Sequence, residues 1–194
     1  MAMTLMTDQI LQDLHTGNAE IRFKEYSEND WKGGTIDFSA ASVIYTAKDT
    51  LEVNQEQPTV TELKLDQNDR TYSSTSEAGA FTFAGLIPSV AEAVFDNFMN
   101  KYTNEEGTSP EFSVKLSATE TMTGRGYEAG VKKIEGTILL VSESRKSAIV
   151  LGKVELYGAF TGASADAGAG VNMAGTVVAN PNGPDIIVLK APAA

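Results

Sequence analysis

The residues able to do chemistry in this 194-residue chain are few, and their spacing closes most routes. There is one histidine, His15, and no cysteine. A Ser-His-Asp arrangement needs an imidazole held beside a nucleophile. His15 falls instead in the polar terminal stretch "TDQILQDLHT". Zinc sites built from several His or Cys ligands cannot be assembled. Disulfides and thiol chemistry go with the cysteine. "GRGYEAG", residues 124–130, is neither the dinucleotide fingerprint nor the Lys-Ser/Thr-ended phosphate loop, and it reads as a surface turn. "DQND" and "TNEEG" offer oxygen ligands without the calcium-loop spacing, and read as solvated turns. Glu105 and Glu106 are adjacent acids. A glycosidase needs two carboxylates at a set separation across a cleft. Its sugar sites usually add aromatics, and Trp31 is the only tryptophan here. The expectation is no catalytic residue, no metal ligand and no cofactor.

Charge narrows the partners. Acidic residues number 26 against 15 basic, for a formal net charge of −11. Such a surface lacks the Lys/Arg surplus that neutralises phosphates in ordinary nucleic-acid binding. Solubility alone accounts for the acidity equally well. Apolar residues make up 42%, a globular composition. The longest apolar runs, "TILLV" and "AIVL", fall far short of the ~20 residues of a membrane helix, so no membrane partner is expected. The first residues lack a basic n-region and a continuous apolar run, so no secretory leader is expected.

One domain over residues 1–194 is expected, mainly β, a sandwich or barrel of short antiparallel strands with one flanking helix and extended loops. Residues 1–18 form a candidate helical arm. There Met6, Ile10, Leu11 and Leu14 recur at helical spacing, with Thr7 or Asp8 as cap and Gly17-Asn18 as stop. Strand signals follow in "IRFKEY", "TIDFS", "SVIYT" and "TLEVN". Thr46 to Pro58 reads as partly an extended excursion, because Pro58 cannot donate to a ladder. Thr59 to Asp66 reads as a strand with Thr59, Thr61, Leu63 and Leu65 toward a core and Val60, Glu62, Lys64 and Asp66 away from it. "RTYSSTS" and "GAFTFAGL" are further strands. The flanking helix spans about residues 89–102, with Val90, Val94, Phe95, Phe98, Met99 and Tyr102 on its packing face. Ser89 and Glu92 have capping-box spacing. "FSVKLSA" alternates as a half-buried strand, residues 119–130 read as a long polar loop, and "VKKIEGTILLV" and "SAIVLGKVEL" form a hairpin across "SESRK". "VNMAGTVV" and "DIIVLK" close the chain around the turn "NPNG".

The run "YTAKDTLEVNQEQPTVTELKLDQND", followed by "AGAFTFAGLIPSVAEAVFDNF", resembles the tail tube (major tail) proteins of bacteriophages in pattern and order. "GTILLVSESRKSAIVLGKVELYGAF" looks like their late hairpin, and "VNMAGTVVANPNGPDIIVLKA" like a closing strand. The resemblance covers residues 36–190 or so and includes no single diagnostic motif. It implies six copies per ring and rings stacked into a tube around a lumen for DNA. It also implies contacts with other tail proteins, no specific DNA binding, and residence in the virion after synthesis in the host cytoplasm. On that basis Thr50, Leu51, Glu52, Val53, Asn54, Gln55, Glu56, Gln57 and Pro58 are candidates for contacts between rings, with residues 120–130 as the rival. Glu62, Lys64 and Asp66 are candidates for the lumen, a solvated outer face being the alternative. Tube subunits of contractile injection or secretion systems look similar. A stand-alone β-sandwich binding, adhesion or virion-decoration module stays open, as does an enzyme on a β-scaffold.

Overall fold

The computed structural model describes residues 20–47, 50–64, 71–162 and 169–191. The expected arm over residues 1–18, and Leu65 and Asp66, lie outside them. In chain order the elements are β1 (Glu20–Glu25), α1 (Asn29–Lys32), β2 (Ser42–Ile44), β3 (Glu52–Gln55), β4 (Thr59–Lys64), β5 (Thr71–Glu77), β6 (Phe81–Ile87), α2 (Glu92–Phe98), β7 (Asn100–Lys101), β8 (Glu111–Lys115), β9 (Thr121–Arg125), β10 (Tyr127–Glu128), β11 (Lys133–Val141), β12 (Ser147–Thr161), β13 (Gly170–Val177) and β14 (Ile186–Lys190). The protein is mainly β, as its β-branched segments dictate, and its sheets are antiparallel, with no closed barrel among the described residues.

Eight strands make the main sheet, in the order β2-β1-β11-β12-β13-β6-β3 with β14 also on β12. The long β12 organises it. Ser147–Leu151 pairs with β14 and Val154–Thr161 with β13, while β11 runs along its other edge. Residues paired across strands share a face. Ile44, Ile21, Leu140 and Ile149 form one row of paired positions, and Ile134, Leu156, Gly175, Phe83 and Val53 form another. These rows, with Val154, Val171, Met173 and Ile87, are the core. Glycines let aromatic rings approach the strands. A Cβ on Gly158 would lie 2.5 Å from Cβ of Phe98, which is how α2 comes down onto β12. On the opposite face Trp31 packs over Gly183.

The flanking helix is shorter than its apolar periodicity predicts. It covers Glu92–Phe98, capped by Ala91 without a side-chain bond. Ser89 Oγ accepts from the Ala91 N–H instead, so the capping box does not form. Val90 stands outside the helix and exposed, Met99 turns extended, and Tyr102 follows β7, which pairs with β10. Only Val94, Phe95 and Phe98 pack from the expected face onto the core. The strand pairing of Asn100–Lys101 takes the backbone that a longer helix would need. "TIDFS" forms no strand, and "NDWK" forms a helical turn.

Candidate functional site

Two hairpins stand off the main sheet. The first begins inside it. β3 pairs with β6, and β4 pairs with β5, but the register is continuous from Val53 opposite Phe83, through Gln55 opposite Phe81, to Thr59 opposite Glu77 and Leu63 opposite Ser73. The Glu56 N–H donates to the Ala80 carbonyl at 2.9 Å and bridges the two pairings. Residues 52–87 are thus one hairpin whose base is in the core sheet and whose outer part leaves it. Pro58 sits at the junction, where its missing N–H interrupts the ladder. From Glu56 to Lys64 the arm is about 30 Å long at ~3.3 Å per residue.

Both faces of the arm are exposed. Thr59, Val60, Thr61 and Glu62 are exposed on β4, and Ser74–Glu77 on β5. The expected burial of Thr59 and Thr61 is therefore corrected, since no element lies over this two-stranded sheet among the described residues. The candidate contact residues divide. Thr50 is tied into the body, its Oγ1 donating to the Ala47 carbonyl and accepting from the Leu86 N–H. Leu51 and Val53 pack on the core. Glu52, Asn54, Gln55, Glu56, Gln57 and Pro58 are exposed. Of the lumen candidates, Glu62 is exposed on the arm, Lys64 ends β4, and Asp66 lies outside the described residues.

The second hairpin is β8–β9. Phe112 pairs with Gly124 and Val114 with Met122, which puts Phe112, Val114, Leu116 and Met122 on one face. That face is bare. Phe112 is 46% exposed, Val114 59%, Leu116 56% and Met122 58%. The alternation in "FSVKLSA" was legible as a strand. Its expected half-burial is wrong, because among the described residues the cover is at the root alone, where Phe112 meets the Tyr102 ring at 5.9 Å. The expected polar loop after it is β9 and β10. The missed signal was the short turn at Ser117, whose Oγ accepts from the Thr119 and Glu120 N–H groups.

The root of this hairpin is locked to α2. Tyr127 donates to Asp96 at 2.9 Å, Lys101 pairs with Asp96 at 2.8 Å, and Lys132 donates to the Asp96 carbonyl at 2.7 Å. The Lys101 hydrogen bond holds the Asp96 carboxyl below its usual value. Burial, then the bond to Asp96, pushes the Tyr127 hydroxyl up to about 12. The hairpin therefore stands on a fixed base and presents a free apolar face.

The face of β11 and β12 turned away from the core carries a charge lattice. Glu135 and Glu155 are opposed across the strands. Lys133 bridges them at 3.0 and 2.9 Å, and Lys153 reaches Glu135 at 3.2 Å. The Lys133 bond is the main cause that lowers both carboxyls below 4.5, with Lys153 helping at Glu135 and Tyr157 at Glu155. A carboxyl lowered on folding contributes stability above its unfolded value and loses it as the pH falls through its folded value. Thermal unfolding should therefore be flat from about pH 7 to 5 and weaken below about pH 4. The double variant Glu135→Gln/Glu155→Gln should weaken less steeply with acid. Parallel curves for the two proteins would show that the lattice contributes nothing.

No candidate metal cluster of three or more His, Asp or Glu side chains occurs among the described residues. No protein-family model matches the chain, and no curated protein matches it.

Proposed function

We propose that this protein is a structural subunit that assembles with copies of itself, as stacked six-membered rings, into a tail tube through which phage DNA is delivered. The observation that carries the reading is the 52–87 hairpin, rooted in the core sheet and exposed on both faces outside it. A free two-stranded ribbon of this length is marginal in water and presents unpaired edges, so a neighbouring subunit is the natural partner for it. The bare apolar face of β8–β9 supports the same reading, because contiguous exposed apolar surface marks interaction sites. Obligate interfaces commonly bury about 2,000–5,000 Å², and two hairpins per subunit supply surface on that scale only through several neighbours. On this reading Glu62 and Lys64, with Asp66 beyond them, face the lumen or the next ring, and the net charge of −11 keeps a polyanion from adhering. Other tail proteins would cap the tube, and its place would be the virion.

Negative-stain microscopy with sedimentation of the purified chain tests the proposal. Rings or tubes are expected. The variant Val114→Asp/Met122→Asp should remain folded, since both side chains are exposed, and should shift sedimentation to the monomer. A monomer of the unsubstituted chain at every concentration, with or without preformed tails as seeds, would overturn it.

A further inference from the structure

We infer that Asn182 is a site of spontaneous modification, its amide lost to water through a cyclic imide at a rate that Tyr26 holds down. Asn182 is the one asparagine of the chain that precedes a glycine. In the reaction the Gly183 backbone nitrogen gives up its proton and attacks Cγ of Asn182. The Cγ–Nδ2 bond breaks, ammonia leaves, and a cyclic imide remains. Water then opens the imide at either carbonyl, giving an aspartyl residue at position 182 or its β-linked isomer. Asparagine is a thermolabile residue, and a following glycine has no Cβ to crowd the ring closure. The Gly183 N–H is weakly engaged, its nitrogen 3.5 Å from the Asn180 carbonyl, and Asn182 is only half-buried, so nitrogen and water are both within reach.

Packing keeps a glycine at this place. A Cβ on Gly183 would lie 2.4 Å from Cε3 of Trp31, so a side chain there would lift the indole. The turn restrains the other reactant. Asn182 Nδ2 donates to the Tyr26 hydroxyl at 3.0 Å, and that hydroxyl donates to Asn180 Oδ1 at 2.8 Å. The Asn182 N–H donates to the same Oδ1 at 3.2 Å and closes a ring of bonds. Asn180 is itself fixed. It is 8% exposed, its N–H donates to Asp185 at 2.7 Å, and its Nδ2 donates to the Pro184 carbonyl at 3.3 Å. An imide forms only when Cγ comes within bonding distance of the Gly183 nitrogen, a rotation that a carboxamide tied to Tyr26 resists. Conversion would undo this local order. The β-linked product adds a methylene to the main chain and moves Gly183 from under Trp31. Either product replaces a donor to Tyr26 with a carboxylate, the second in the turn beside that of Asp185.

Peptide mapping of the full chain, incubated folded at mildly alkaline pH, tests the inference. The peptide with Asn182 should gain the mass of an acid replacing an amide, and its β-linked isomer should separate on chromatography. Tyr26→Phe keeps the ring and removes the hydroxyl, and should convert at least about fivefold faster, the worth of one hydrogen bond. Leu156→Ala opens a hole in the core and leaves every bond of the turn in place, so it should convert at the unsubstituted rate. Equal rates in Tyr26→Phe and the unsubstituted chain overturn the inference, as does the absence of conversion at position 182 in both. Conversion in Leu156→Ala as fast as in Tyr26→Phe also overturns it, because opening of the whole fold then sets the rate.

Discussion

Replacing residues 57–79 with Asn-Gly should give a folded protein that forms no tubes. The design follows the ladder. Glu56 donates to the Ala80 carbonyl, so the two residues are adjacent across the hairpin and a two-residue turn can join them. Asn-Gly supplies the positive φ angles that a type I′ turn requires. Everything that packs on the core stays, including Val53 against Phe83. In the removed part Gln57–Glu62 and Ser74–Ala78 are exposed, so unfolding free energy should change by less than about 1 kcal/mol. Assembly should fall below detection by sedimentation and microscopy. A shorter cut over residues 52–57 is the wrong experiment, because it deletes β3, an edge strand of the core sheet, and confounds folding with contact. Tubes of ordinary length from the Asn-Gly chain would show that the arm makes no essential contact.

The same arm shows what the sequence could and could not convey. Short apolar and β-branched runs placed β6, β11, β12 and β13, because each has a buried face that selects such residues. Period-two alternation placed β8, but the pattern says only that one face is apolar, not that anything covers it. Cover is a property of other segments and of other chains. Thr59 and Thr61 failed for the same reason, since a threonine face suits a solvated ribbon as well as a core. The helix was overextended because Met99 and Tyr102 continue the 3.6-residue period while their backbone is extended or pairs nearby as strand. Asp96 was unmarked in the sequence, yet it joins α2 to the second hairpin through Tyr127, Lys101 and Lys132. The Tyr127 and Lys132 contacts, 31 and 36 residues away in sequence, leave no local periodicity.

Leu156→Ala should cost about 2–5 kcal/mol, toward the upper part of that range. The cost of a large-to-small change depends on whether the surroundings can collapse, and here they are held. Leu156 is 0% exposed, and its paired neighbours are Ile134 on β11 and Gly175 on β13. Both strands are fixed by hydrogen bonds to β12, so neither can move inward without breaking a ladder. Gly175 has no side chain to swing into the space, and the Phe83 ring already presses on it, 2.5 Å from where a Cβ would be. With about 2–3 kcal/mol per molar urea, the upper part of the usual range, for a protein of this length, the unfolding midpoint should drop by about 1–2.5 M. Val188→Ala is the matched control. Val188 lies on the same sheet but is 71% exposed, so its truncation should cost less than about 0.5 kcal/mol. The larger loss also has a consequence for assembly. Leu156 shares the core with Phe98, and Phe98 seats α2, whose Asp96 holds the root of β8–β9. Loosening that core should therefore weaken association even at temperatures where Leu156→Ala remains folded. Equal association by the folded variant and the unsubstituted protein would disconnect the second hairpin from the core, and a midpoint shift no larger than that of Val188→Ala would refute the packing assigned to Leu156.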